Sequence, residues 1–407
     1  MTGHLGIRNN LLPFITITLI TAFVGGMVGL ERTIVPLLAK ERYAITSATV
    51  TISFIVSFGL TKGVFNFVAG ILNDRFGRKK IEVLGWIVGI PVPSLLIWAP
   101  SWEWVSFANI LLGINQALAW STAVTYTLDI VSPNQRGFAS GINEFAGYFG
   151  VGALTFATSY IGSLYGPHPY PMILGIGIVL AGLLLSLTLP ESMHHALKEA
   201  KESQNHQNER SPFRVFALAT FKDRNLFACS QGGFVANFTD GMAWGLLPLF
   251  LRSKGLSLGE IGMVATFYPL VWSFSQLATG LMSDRIGRKP VIVGGFFVQG
   301  AGIIGISLSG SLTGWLFFAL LFGLGKGMVY PTLIAAVSDS SPPLMRGSIL
   351  GVYRLWRDWG YAFGALFSGL VADMLGIGWG VGSAGIVSIF SGIIVLALMV
   401  ERVKKTP

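Results

Sequence analysis

Residues 70–80 read GILNDRFGRKK, and residues 280–290 read GLMSDRIGRKP. Both are short charged loops between long apolar runs, in a chain with only 12% charged residues. They lie 210 positions apart, and other features keep the same spacing: Asp129 with Asp339, Arg136-Gly137 with Arg346-Gly347, and Gly150 with Gly360. A constant offset sustained over about 80 residues marks a duplicated unit rather than a chance match.

The runs flanking the loops say what that unit is made of. Of the 407 residues, 52% are hydrophobic, and the mean hydropathy is +0.65. Such a composition places the chain in a bilayer. Apolar runs of about 20 residues, long enough to cross a hydrocarbon core, recur throughout. Six spans are expected near 11–36, 48–72, 81–100, 104–130, 138–164 and 170–189, and six more near 226–251, 258–282, 290–310, 314–338, 347–373 and 378–400. Helices satisfy their own backbone hydrogen bonds in lipid, so the spans are expected to be helical. The expected fold is therefore all-α and integral to the membrane, with twelve transmembrane helices in two six-helix halves. The halves are 1–189 and 225–407, and the charge-rich stretch 190–224 between them reads as a solvated linker, part of it suited to an amphipathic helix on the membrane surface. The first run, from Leu11 to Pro36, is too long for a cleaved leader and is read as span 1.

Charge sets the orientation. Most of the 28 lysines and arginines fall on one side, in the N-terminus, the 73–80, 131–137, 190–225, 283–290 and 340–347 loops and the C-terminal tail. The other side carries Arg32, Lys40, Arg42, Arg252 and Lys254. The positive-inside rule then places both termini in the cytoplasm of a multi-pass protein of the cytoplasmic membrane. The net charge of +9 sits in short loops rather than on one soluble face, which argues against nucleic acid as a partner. The single cysteine, Cys229, excludes an internal disulfide and a cysteine-based metal cluster. No HExxH, GK[ST] or CxxC motif occurs, so no enzyme, cofactor or metal is expected.

The pattern G-x-L-x-D-R-x-G-R-K after the second span, with its copy after the eighth, resembles the loop signature of the major facilitator superfamily. Twelve spans, a charged central linker and cytoplasmic termini match as well, so the resemblance covers essentially the whole chain. It implies a secondary transporter, a permease working by alternating access. Two departures stand out. Asn109 occupies the place, four before Gly113, where many members carry arginine. Span 5 has Gly147, Gly150 and Gly152 without the Gly-Pro pair frequent in drug/proton antiporters.

A carboxylate at a helix end can interact with the positive N-terminus of a neighbouring helix, worth roughly 0.3–1 kcal/mol when exposed. The resemblance implies that Asp74 serves span 11 in this way and Asp284 serves span 5, across the two halves, while the cytoplasmic side is shut. Arg78 with Asp129, and Arg288 with Asp339, would extend this cytoplasmic gate, together with Arg136 and Arg346. The plainer alternative is that these charges are topology signals only.

Charges inside the apolar runs carry more information, since each costs about 2.5–3.5 kcal/mol at mid-bilayer on insertion scales. Lys62 lies 12 residues before Asp74, roughly 18 Å from the loop. Lys326 lies at similar depth in span 10, and span 11 brings Arg354, Arg357, Asp358 and Tyr361 into the same zone. Lys62 and Asp358 could neutralise each other, or Arg354 could pair with Asp358; either would leave fewer groups for a solute. By the repeat, Gln116 corresponds to Lys326, Trp120 to Tyr330 and Glu144 to Arg354. The basic residues thus gather in the C-terminal half, which suits an anionic or zwitterionic small solute. The expected substrate cavity comprises Lys62, Gln116, Trp120, Trp244, Lys326, Tyr330, Arg354, Arg357, Asp358 and Tyr361. Asp240, about 21 Å into span 7, and Glu144 are the candidates for proton coupling. Glu31 and Arg32 are expected near the outer end of span 1 as an ion pair or gate. Expected partners are thus a small-molecule substrate, the lipid bilayer and protons, with the protein a monomer. Two other readings stay open: a drug or metabolite efflux antiporter, and a non-transporting sensor or assembly protein.

Overall fold

A computed structural model describes residues 5–132, 135–193, 212–342 and 345–401. Among them there are helices and connecting turns but no strand. The helices form twelve rods. Span 1 is Leu11–Arg32 continued by Ile34–Glu41, and span 2 is Ser53–Phe76, led in by the short helix Ala48–Thr51. Span 3 is Arg78–Gly89 with Pro91–Trp98, span 4 Trp102–Ile130, span 5 Arg136–Tyr165 and span 6 Tyr170–Thr188. Spans 7 to 12 are Arg224–Gly245 with Leu247–Ser253, Leu258–Ile286, Arg288–Leu308, Leu312–Ser340, Arg346–Leu375 and Ile377–Leu398.

Seven rods are long and apolar enough to cross a membrane as they stand, and spans 2 and 7, each bent by just over 40°, bring the number to nine. Spans 4, 5 and 11 fall short on composition, not length. Pro248 follows the break in span 7 at Leu246, as expected of a residue with no backbone donor. Several helices outrun the apolar stretches that foretold them; span 8, for one, continues to Ile286. Backbone hydrogen bonding does not stop where hydrophobicity does. Within 190–224, residues 194–211, with His194, His195 and His206, lie outside the described residues. Residues 212–222 are helical and pack on span 11, where Trp356 Nε1 donates to Thr220 Oγ1 at 3.1 Å.

Spans 1 and 5 cross tightly in one half, and spans 7 and 11 do the same in the other. The repeated glycines explain why. A Cβ on Gly150 would lie 2.0 Å from the carbonyl oxygen of Ala22, and one on Gly360 would lie 2.1 Å from that of Phe234. Only a residue without a side chain allows this approach, which is how helices gain contact in lipid.

The halves meet along two seams, span 2 against span 11 and span 5 against span 8. Both seams are closed at the end remote from the 70–80 and 280–290 loops, called the far end below. There, a Cβ on Gly59 would fall 2.7 Å from Ala362 N, and one on Gly262 would fall 2.2 Å from Ser159 Cβ. Towards the loop end the seams part. Around Gly70, Gly351 and Gly347 on one seam, and Gly280, Gly141 and Gly137 on the other, a Cβ would meet nothing within 4 Å among the described residues. The molecule is shut at the far end and splayed at the loop end.

Candidate functional site

Where the seams begin to part, a cavity lies between the halves. Lys62, Asn66, Trp120, Ser121, Val124, Glu144, Tyr148, Tyr330, Arg354 and Arg357 line it. It is too narrow to seat a metabolite as it stands. Its walls are tied together by a circuit of hydrogen bonds that closes through the chain neighbours Trp120 and Ser121. Trp120 Nε1 and Tyr330 OH donate to the two oxygens of Glu144, at 3.2 and 3.3 Å. Arg357 Nη1 donates to Tyr330 OH at 2.9 Å, and Arg357 Nε and Nη2 hold Asp358 Oδ1, both at 2.8 Å. The other Asp358 oxygen accepts from Asn66 Nδ2. Asn66 Oδ1 accepts from Ser121 Oγ at 2.6 Å, beside Trp120. The circuit passes between the halves twice, at Glu144–Tyr330 and at Asn66–Asp358.

Two cations of the cavity stand outside that circuit. Lys62 projects among the rings of Phe58, Trp120 and Tyr361, with its Nζ 5.2–5.5 Å from the three centroids. Neither Lys62 nor Arg354 has a hydrogen bond or ion pair to another described residue. The two pairings considered from sequence, Lys62–Asp358 and Arg354–Asp358, are therefore not made. Asp358 is held instead by its chain neighbour Arg357 and by Asn237 Nδ2 at 3.3 Å. A rigid guanidinium fork on the same helix satisfies the carboxylate with less ordering than a flexible lysine from across the seam.

Lys326 and Asp240 also depart from expectation. Lys326, expected in the substrate cavity, does not line it and is paired with Asp240. Lys326 Nζ lies 2.7 Å from Asp240 Oδ2, donates to Ala236 O at 2.6 Å, and sits over the Trp272 ring; both side chains are fully buried. Gln116 turns into the N-terminal half, donating to Val24 O at 2.7 Å. Trp244 and Tyr361 stack on each other at 4.6 Å, sealing the seam above the cavity.

Glu31 and Arg32 are interior rather than outer groups, 0% and 3% exposed, and they do not pair. Glu31 accepts from Asn109 Nδ2 at 2.8 Å. Arg32 lies over Trp244 at 4.6 Å and Phe58 at 4.7 Å, with no hydrogen bond to its guanidinium among the described residues. Span 1 runs on to Glu41, nine residues past Arg32, and that extra length moves the pair inward. The departure at Asn109 has a local reason: it is the partner of Glu31.

At the loop end the repeat is exact in geometry. Arg78 Nε reaches Asp129 Oδ2 at 2.9 Å, and Arg288 Nε reaches Asp339 Oδ2 at 3.1 Å. Asp74 contacts Arg78 and Asp284 contacts Arg288, each within its own loop. Among the described residues neither aspartate touches the first turn of the opposing span, because the halves are apart here. Arg136 opens span 5, and the side chain of Arg346 lies outside the described residues. Two carboxylates went unread in the sequence. Glu191 accepts from the backbone N–H groups of Arg78 and Lys79 at 2.8 and 3.2 Å. Glu401 does the same for Arg288 and Lys289 at 3.0 and 2.7 Å. They are 210 residues apart, so extending the repeat past residue 150 would have found them.

A duplicated twelve-helix bundle, with a polar cavity between its halves and open at one end only, defines a secondary transporter. A sequence profile described as Major Facilitator Superfamily matches residues 16–234 and 229–407, and the chain belongs to that superfamily as a multi-pass membrane protein. The proton-coupled antiporter flippase LtaA of Staphylococcus haemolyticus is 24% identical over 377 residues, covering 90% of this chain and 88% of the relative. The staphylopine export protein of Staphylococcus aureus is 21% identical over 412 residues, covering 97% and 96%. A solved structure of the nucleoside transporter NupG shares the fold, with a TM-score of 0.75 at 12% identity over 95% of this chain and all of that one.

Proposed function

We propose that this transporter moves a small organic anion by alternating access, with Lys62 and Arg354 receiving the anionic group. The observation that carries this is the pair of cations, Lys62 and Arg354, with no hydrogen bond or ion pair to another described residue, in a cavity whose carboxylates, Glu144 and Asp358, already accept hydrogen bonds. A carboxylate or phosphate entering there gains charge-assisted hydrogen bonds away from bulk water. The faces of Trp120, Tyr148 and Tyr330 would bound the body of the solute. Arg357, bound to Asp358 and Tyr330, positions the wall.

Protons are the proposed coupling ion. A charged Glu144 would repel an anion drawn to Lys62, so the solute enters with a proton on Glu144. Asp240, locked to Lys326, is the second candidate. The loop end is proposed to be cytoplasmic, with both termini, on the positive-inside argument; the halves divide at 190–224, and the protein acts as a monomer without enzymatic activity. Efflux by proton exchange is the second reading, favoured by the likeness to the proton-coupled antiporter flippase and the staphylopine exporter.

Proteoliposome flux with a panel of organic mono- and dianions under imposed pH gradients tests this. Uptake that follows an inward proton gradient and disappears in Lys62→Ala supports the first reading. Accumulation driven by an opposed gradient supports exchange. Binding without flux for every anion would leave a sensor.

A further inference from the structure

The two seams are closed at the far end by different means. On the span 2/span 11 seam, the Asp373 carboxylate crosses from the C-terminal half to the start of the helix leading into span 2. Its oxygens accept from Ala48 N at 2.7 Å, Ser47 Oγ at 2.8 Å and Thr49 N at 3.0 Å. The N–H groups of a first helical turn have no partner within the helix, and an anion there is further favoured by the helix dipole. No other carboxylate among the described residues takes the first turn of a helix in the opposite half.

The other seam keeps the place but not the charge. Position 163, the counterpart of Asp373 in the repeat, is serine, and Ser257, the counterpart of Ser47, opens span 8. That helix is capped by its own Glu260, which accepts from Ser257 N at 2.8 Å. Beside it a cavity of about 410 Å³ separates Ser163 from Ser257, with Arg252 and Glu41 bridged at 3.2 Å across its mouth. One seam is therefore bonded tightly across the halves. The other is closed by the packing of Gly262 against Ser159, with an exposed ion pair next to open space beyond it.

We propose that Asp373 is the gate residue of the far end: its bond to the start of span 2 keeps the cavity shut on that side, and only on that seam. The transporter rests open at the loop end because this clasp is intact while Asp74 and Asp284 engage no described residue across the halves. Opening at the far end requires Asp373 to leave three donors at once. The proposal rests on alternating access, but it concerns which side the cavity faces and needs no knowledge of the solute.

The test is sided labelling in oriented membrane vesicles with an impermeant maleimide. Cys229→Ser removes the native thiol, and Val124→Cys places one on the cavity wall. With Asp373 present, the thiol should react from the loop side and be protected from the far side. Asp373→Ala should raise the far-side labelling rate about tenfold, and Asp373→Glu should restore protection. Ser163→Ala, on the other seam, should leave both rates unchanged. Asp373→Asn keeps the shape and removes the charge, so it serves if the alanine variant fails to fold. Unchanged far-side protection in either variant, in protein that elutes as the parent does, would overturn the proposal. Loss of flux with sidedness unaltered would do so too, whereas altered sidedness in a protein that carries no anion would sink the transport reading alone.

Discussion

The two halves of this transporter share a scaffold and differ in what they enclose. Loop ion pairs, carboxylate caps and helix-crossing glycines recur at a spacing of 210 residues with nearly the same distances. In the interior the correspondence ends. The C-terminal half contains its own matched buried pairs, Lys326–Asp240 and Arg357–Asp358. The N-terminal half leaves Lys62 and Arg32 without anionic partners and gives Glu144 to a tyrosine of the other half. Duplication supplied a rigid frame twice, while the polar work was divided between the copies.

Breaking a matched pair should be the most damaging change. Asp358→Ala strands Arg357 and Asn66 inside the bundle and should cost about 3–5 kcal/mol, read by chemical unfolding in detergent. Lys62→Met should shift stability by less than about 1 kcal/mol, since that cation has no partner to lose. Equal costs for the two would erase the contrast between the halves.

The scaffold should respond symmetrically. Gly150→Ala and Gly360→Ala each force a methyl onto a carbonyl of the facing helix and should destabilise by about 1–3 kcal/mol, by similar amounts. A large inequality in melting temperature would show that the frame, too, has diverged.

The loop end should respond through populations rather than through this state's stability. Asp74→Asn should leave the splayed form untouched and deplete the form closed at the loop end, a bias of roughly 0.3–1 kcal/mol. Sided labelling of Val124→Cys reads it, and an unaltered ratio of rates would reduce Asp74 to a topology signal. Smallest is the effect of Arg252→Ala at the far end. That exposed pair with Glu41 should contribute less than about 1 kcal/mol, seen as a modest rise in far-side labelling that salt reproduces in the parent.

The fold was largely legible before any coordinates. Span count, duplication and loop charges follow from hydropathy and repetition, because a bilayer enforces helices of a given length. The positions of charged residues along each helix were legible too, which is why Lys62, Arg354 and Arg357 were assigned to one cavity; Glu144, assigned to proton coupling, lines the same cavity. Partner choice was not. Asp358 had three cations at comparable depth, and the one it took depended on helix rotation and on a fork geometry that residue counting does not contain. Glu31 and Arg32 were misplaced because span 1 outlasts its apolar run.

By itself the sequence determined a twice-repeated six-helix membrane unit and the depth of its charges, Glu31 and Arg32 excepted. Those properties depend on one coordinate, distance along a helix, which hydrophobicity reports. Tertiary structure decided which charges are matched, which face the cavity, and which end is shut. These depend on how helices from distant parts of the chain rotate and tilt against one another, and no local pattern encodes that.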